Sequence, residues 1–229
     1  NDIIYFMHNR ERERYWSILY MKDSKDTKDK KVRSSLVRDS LDTFGTNAFG
    51  MVLTLIATFM VLNRVDPGVK GLYNTVQLWG GGLSTILGLS VNSAVIYFVS
   101  RYKIQNTQAA IKKLGLWISA AIILIGFTIV FTLSGSSLFS ETPVPYLLAI
   151  VIYGVSSFIL NICTAILRGE NKFRSYNMIL LIQKVLVTAL AVIIFMHPSA
   201  AIWVWATIAI SLAMIIFAAF NAYPKVKAV

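Results

Sequence analysis

Lys184 is the residue on which chemistry in this chain would turn. It sits in an apolar stretch, about eight residues inside a helix expected over about Tyr176 to Met196, which is roughly 12 Å along the axis. A cation at that depth is costly in lipid unless it faces protein or water. Either its long stem lets the ammonium snorkel to the interface, or the ammonium faces a cavity that receives an anionic substrate. Polar residues nearby fall into stripes. Ser40, Thr43, Asn47, Gly50, Thr54 and Thr58 form one set, and Asn74, Gln77, Gly81, Ser84, Gly88 and Asn92 a second. Both advance by 3 or 4 residues, so each lies along one face of an α-helix. Tyr153, Ser157, Asn161, Thr164 and Arg168 repeat the pattern more weakly. Such stripes let helices approach and hydrogen-bond, or they line a water-filled passage; the sequence leaves both readings open. Arg38, Asp39 and Asp42 stand near the mouth of the first helix, where the carboxylates pair with Lys184 or, more simply, with Arg38 and nearby lysines.

No enzyme signature accompanies these residues. Gly-x-Ser-x-Gly, His-Glu-x-x-His and phosphate-cradling Walker loops are missing from the sequence. The two histidines, His8 and His197, do not cluster. An intramembrane serine hydrolase would need His197 opposite Ser134, Ser136 or Ser137, and nothing else in the pattern supports that pair. The single cysteine, Cys163, can form no internal disulfide, and no metal-ligand spacing exists. Neither catalysis nor a cofactor is expected.

The elements that must position these residues are membrane spans. Of 229 residues 56% are hydrophobic and 14% charged, against about a quarter charged in ordinary soluble domains. Apolar runs of about 20 residues, enough to cross a hydrocarbon core of roughly 30 Å, alternate with short polar segments. Six helices are expected, over about Leu36–Asn63, Leu72–Ser100, Leu114–Leu133, Tyr146–Leu167, Tyr176–Met196 and Ala201–Ala222. The segment Arg64-Val65-Asp66-Pro67-Gly68 breaks the first from the second. Arg101–Lys113 reads as a polar loop, 134–145 as a Ser/Pro-rich loop and His197-Pro198 as a tight turn. Gly80-Gly81-Gly82 reads as close helix packing or local flexibility. Residues 1–35 form a charged tail expected to be disordered. The chain opens with Asn1, and Met21 is the more natural start, which puts residues 1–20 in question. Residues 223–229 form a basic end.

The net charge of +11 follows from topology and anionic lipid headgroups rather than from nucleic acid. Connections 1–2, 3–4 and 5–6 carry only Arg64 and Lys70, whereas the tails and the other connections carry nineteen of the 22 Lys and Arg. Excess Lys/Arg marks the cytoplasmic side, so both termini are expected there in a multi-pass protein of the cytoplasmic membrane. Trp117, Trp203 and Trp205 follow expected helix starts, where indoles favour the interface.

Three segments carry a family likeness: Ser34-Ser35-Leu36-Val37-Arg38-Asp39-Ser40; Val65-Asp66-Pro67-Gly68-Val69-Lys70-Gly71-Leu72-Tyr73, with the later Ala94-Val95-Ile96-Tyr97-Phe98-Val99-Ser100-Arg101; and Leu167-Arg168-Gly169-Glu170-Asn171-Lys172-Phe173. Their order and placement over about residues 34–222 resemble the amino-terminal half of polysaccharide and lipid-linked oligosaccharide flippases, in the superfamily of multidrug and toxic compound extruders. The chain departs at Asp66, where the family more often has Gly before the Pro. The resemblance implies an all-α polytopic membrane protein, six transmembrane helices forming one lobe of a twelve-or-more-helix transporter. It implies alternating access for an anionic lipid-linked glycan, with the lipid tail left in the bilayer. Lys184, Asn47, Gln77, Asn92, Asn161, Arg38 and Asp39 would face the substrate cavity. An ion gradient or the membrane potential would drive it, and the partner would be a missing carboxy-terminal lobe or a second copy. Truncation is the preferred expectation, since the chain lacks an initial Met and stops soon after the sixth helix. The alternatives are a drug or small-cation extruder of the same fold, and a six-helix intramembrane enzyme or non-transporting scaffold.

Overall fold

The structure, a computed structural model, describes residues 40–61, 64–88, 90–133 and 142–222. It divides into two units, Asn1–Gly45 and Thr46–Val229. Only residues 40–45 of the first unit are described, and they form the opening turn of a helix. The expected tail, Arg38 and Asp39 lie outside the described residues.

The described residues are all-helical. Helix α1 is Ser40–Val61, α2 Pro67–Leu87, α3 Val91–Leu133, α4 Val144–Gly169, α5 Phe173–Met196 and α6 Ala200–Ala222. Five helical segments are long and apolar enough to cross a membrane: Ser40–Val61, Thr107–Val130, Val144–Gly169, Phe173–Met196 and Ala200–Ala222. Pro67–Leu87 with Val91–Tyr102 makes a sixth only if this pair, bent by 50°, counts as one span. That is the make-up of a multi-pass membrane protein.

The break between α1 and α2 falls at the expected place and also starts the next helix. Pro67 occupies the first turn of α2, where its missing N–H costs nothing. Asp66 caps it, its Oδ2 accepting from the Gly68 N–H at 2.8 Å. The Asp66 carboxylate therefore has a local structural role.

Two expectations are corrected. The second helix is not continuous to Ser100: it breaks at residues 88–90. Ser90 takes a left-handed φ of 68°. A Cβ on Gly88 would lie 2.5 Å from the Ser84 carbonyl and 3.1 Å from the Phe158 ring, so only glycine fits. A Gly and Ser close together is a recognised cause of helix kinks. The polar loop over Arg101–Lys113 is in fact helical. The stretch is polar but holds no Gly or Pro and is rich in Gln, Ala and Lys, which favour helix; Ile104 and Ile111, two turns apart, are both buried.

The chain nevertheless reverses within α3. Gly80 touches Ile150 and Gly154, Gly88 touches Phe158, and Val99 touches Gly169, so α2 and the first arm of α3 run parallel to α4. Gly115 touches Ile162, Gly126 touches Val151, and Gly154 touches Ile122, so Thr107–Val130 runs antiparallel to α4. A straight helix would separate Val99 from Gly115 by roughly 24 Å, while their partners Gly169 and Ile162 are only about 10 Å apart along α4. Within α3 the chain thus reverses direction without leaving helix.

Helix α4 is the hub, packing on α2, α3, α5 and α6. Phe158, Ile150, Ile166 and Leu167 are fully buried there. Lys172 Nζ donates to the Asn221 carbonyl at 3.2 Å, and Tyr73 stacks on Trp203, so α6 runs parallel to α2 and α4. Arg101, Lys112, Lys113, Arg168, Lys172 and Arg174 gather at one end of the bundle, and Arg64 and Lys70 lie at the other. Outward faces carry large apolar side chains such as Leu78, Leu116, Leu124, Ile216 and Phe220. Buried positions take small or hydroxyl residues, including Ser84, Ser156, Thr207, Ser211 and Ala218. Small residues inside and large apolar residues outside suit helices that meet in lipid.

Candidate functional site

Four helices and the centre of a fifth enclose a cavity of about 390 Å³. Helix α1 contributes Thr54 and Thr58, α2 Lys70, Tyr73, Asn74 and Gln77, and α4 Tyr153. Helix α5 adds Gln183, Lys184 and Thr188, and α6 Trp203, Thr207 and Ser211. A second, more open recess of about 670 Å³ runs between α1 and α5, lined by Thr46, Asn47, Gly50, Met51, Thr54, Leu55, Leu180 and Lys184. Thr54 and Lys184 belong to both.

Lys184 is deeper than its sequence position suggested. Helix α5 begins at Phe173, so Lys184 lies eleven residues from one end and twelve from the other of this 24-residue helix. That is roughly 17 Å from the start, near the middle of a hydrocarbon core of roughly 30 Å. Its stem is housed by α1: a Cβ on Gly50 would lie 3.3 Å from Lys184 Cγ. Thr188 braces the same crossing, donating to the Lys184 carbonyl at 2.8 Å and lying 3.4 Å from that of Leu53. Lys184 lines both recesses.

The lining has a definite hydrogen-bonding character. Thr54, Thr58, Thr188, Thr207 and Ser211 each donate their hydroxyl to a carbonyl one turn back, at 2.8–3.0 Å. Their protons are spent on the helix, so toward the cavity they offer oxygen lone pairs. Donors come from the two lysines and the amides of Asn74 and Gln183. Among the described lining residues there is no carboxylate. Two cations and a row of acceptors suit a ligand that is anionic at one part and rich in hydroxyl donors at another.

The aromatic wall was not anticipated. Tyr73 and Trp203 stack with centroids 3.9 Å apart and planes 13° from parallel. Gln77 Nε2 donates to the Tyr73 hydroxyl at 2.6 Å, which fixes the ring. Trp203 is 7% exposed and packs inside the bundle; Trp205, 40% exposed, faces outward. The available signal was the spacing of Trp203, Thr207 and Ser211 on one face of α6. Lys70 was missed as well, because it was read as part of a connection rather than the first turn of α2.

Of the expected site residues, the structure brings together Lys184, Gln77 and Asn47. Asn92 and Asn161 line neither recess. Asn92 lies just past the break in span two, its Oδ1 buried, and Asn161 is exposed on α4. The second stripe divides accordingly. Asn74 and Gln77 line the cavity, whereas Ser84 and Gly88 are buried. The stripe on α1 lines the two recesses from Asn47 to Thr58. No group of His, Cys, Asp and Glu among the described residues could hold a metal ion.

Comparison with known proteins adds no relative: no protein-family model, curated protein or solved structure matches the chain.

Proposed function

We propose that this chain is one lobe of a flippase that moves an anionic, lipid-linked glycan precursor across the cytoplasmic membrane by alternating access. The observation that carries the reading is the cavity with Lys70 and Lys184, a row of acceptor hydroxyls and no carboxylate among its described lining residues. Lysines attract phosphate as point charges, and the hydroxyl oxygens accept from sugar hydroxyls. The flippase resemblance of the Asp66–Tyr73 and Leu167–Phe173 segments supports the same reading. So does the gathering of basic residues at one bundle end, which the positive-inside rule assigns to the cytoplasm. On this view the bent pair counts as one span, giving six, and the lobe works with a second lobe or a second copy. A cation extruder of the same fold would need a deep carboxylate, and a lysine at mid-depth opposes it.

The test is Lys184→Ala in cells that rely on this protein for surface glycan. One charge-assisted contact is worth about 1.5–3 kcal/mol, so export should fall by roughly 10- to 150-fold at unchanged protein level. Normal surface glycan in that strain would reject the assignment.

A further inference from the structure

The first arm of α3 ends in an arginine held by aromatic rings. Tyr97, Phe98 and Arg101 are spaced three and four residues apart, so they share one face of the helix. Arg101 Nη1 donates to the Tyr97 hydroxyl at 2.6 Å. Its Cζ lies 5.9 Å from the Tyr97 ring centroid and 5.7 Å from that of Tyr102. Phe98 completes the set, edge-on to Tyr97 at 5.4 Å and stacked on Tyr102 at 6.2 Å. All three rings and the arginine are exposed, on the outside of the bundle. Helix α4 fixes the level of this cluster. Val99 packs on Gly169, the last residue of α4, so Arg101 stands roughly 3 Å beyond that level along its own helix. The same end of the bundle gathers Arg168, Lys172 and Arg174. This is the depth at which a span ends and lipid phosphates begin.

We propose that Tyr97, Phe98, Arg101 and Tyr102 form a binding site for an anionic phospholipid, phosphatidylglycerol in chemical type, in the leaflet at the basic end of the bundle. A guanidinium has five N–H donors in one plane. One is spent on Tyr97, and the planar fork suits two oxygens of a phosphodiester. The tyrosines already restrict the arginine, so little side-chain freedom is left to lose on binding. Tyr97 and Phe98, one turn before Arg101, lie toward the acyl chains and supply an apolar rest for the first acyl carbons. The surrounding cations favour a headgroup that brings no ammonium of its own. Glu170, the acidic residue beside them, is already paired with Lys172. The site does not depend on what the cavity carries. It holds the arm of the bent pair that follows the break at residues 88–90, while the arm before the break lines the cavity. A bound lipid thus steadies one side of that bend.

The test is native mass spectrometry of the purified chain from mixed micelles that hold equal amounts of phosphatidylglycerol and phosphatidylcholine with the same acyl chains. The unaltered protein should retain phosphatidylglycerol in preference. Arg101→Gln should weaken that retention about tenfold or more. Arg101→Lys should fall between the two, because it keeps the charge and loses the fork. Arg174→Gln, at the same end on α5, should stay near the unaltered protein. Inorganic phosphate at the lipid's concentration should not displace the lipid. A phosphatidylglycerol carrying a diazirine near its headgroup should label residues 97–102 of the unaltered protein, an arm that needs no variant to fold. Equal retention of the two lipids, undiminished retention by Arg101→Gln or Arg101→Lys, or an equal loss in Arg174→Gln would overturn the site. So would displacement by inorganic phosphate, or labelling confined to other segments.

Discussion

Gly80→Ala is the substitution whose effect follows most directly from the geometry. A Cβ at Gly80 would lie 2.6 Å from the Ile150 carbonyl oxygen, 2.9 Å from Tyr153 Cδ1 and 3.2 Å from the Gly154 nitrogen. Carbon–oxygen contacts between helices ordinarily settle at about 3.3–3.6 Å, so α2 must withdraw from α4 by roughly 0.7–1 Å. The obstacle is backbone, which cannot rotate aside as a side-chain tip can. Overpacking of this kind costs about 1–3 kcal/mol. The next two glycines are internal controls, because a Cβ on Gly81 or Gly82 meets nothing within 4 Å. There alanine should gain up to about 1 kcal/mol from helix propensity, a gain shared by all three sites. The contrast between Gly80→Ala and Gly81→Ala therefore isolates the crossing at about 1–3 kcal/mol, or roughly 2–12 °C in apparent melting temperature for a chain of this size. The protein carries its own reporter: Cys163 is the sole cysteine and is buried in α4. A thiol-reactive fluorogenic dye in detergent will light up as the bundle opens. Equal melting of the Gly80→Ala and Gly81→Ala proteins would refute the α2–α4 crossing and the position of Tyr153 in the cavity wall.

Three further outcomes are expected. Gly169→Ala should lower the melting temperature by a similar amount, because its Cβ would lie 2.8 Å from Val99 Cβ and 3.1 Å from the Ile96 carbonyl; Val99→Ala should recover only part of the loss, and no loss at all would contradict the reversal within α3. Trp203→Ala should destabilise by about 3–5 kcal/mol through loss of its buried stack on Tyr73, whereas Trp205→Ala should be near neutral. Brominated lipid should quench Trp205 and spare Trp203, as read by the fluorescence of the single-Trp-deletion proteins.

The order of the apolar helices, and the rough extents of α1, α4, α5 and α6, were legible because membrane solvation imposes long apolar runs. Asp66-Pro67-Gly68 announced a helix boundary through cap and proline chemistry, and α2 begins there. The break after Leu87 was hidden, because Gly88 also fits the polar stripe and was counted as one of its members. The helical reversal between Val99 and Gly115 was hidden because its polar residues resemble a loop, although the segment lacks any helix breaker. Helical periodicity found the cavity-facing side of α1 and of the first half of α2. It could not say where along α2 the stripe passes from cavity to protein contact, since that depends on where α4 approaches. Tyr73 and Trp203 were invisible as a pair because their stacking joins helices about 130 residues apart in sequence.

A cavity that receives anions should hold a lipid diphosphate and refuse a lipophilic cation. Native mass spectrometry of the purified chain with a lipid-linked diphosphate oligosaccharide and, separately, a lipophilic cation such as tetraphenylphosphonium tests it in one experiment. The diphosphate lipid should be retained, that retention should be lost in Lys184→Gln, and the cation should not be retained. Retention of the cation by the unaltered protein, with the diphosphate lipid bound equally by Lys184→Gln, would contradict it.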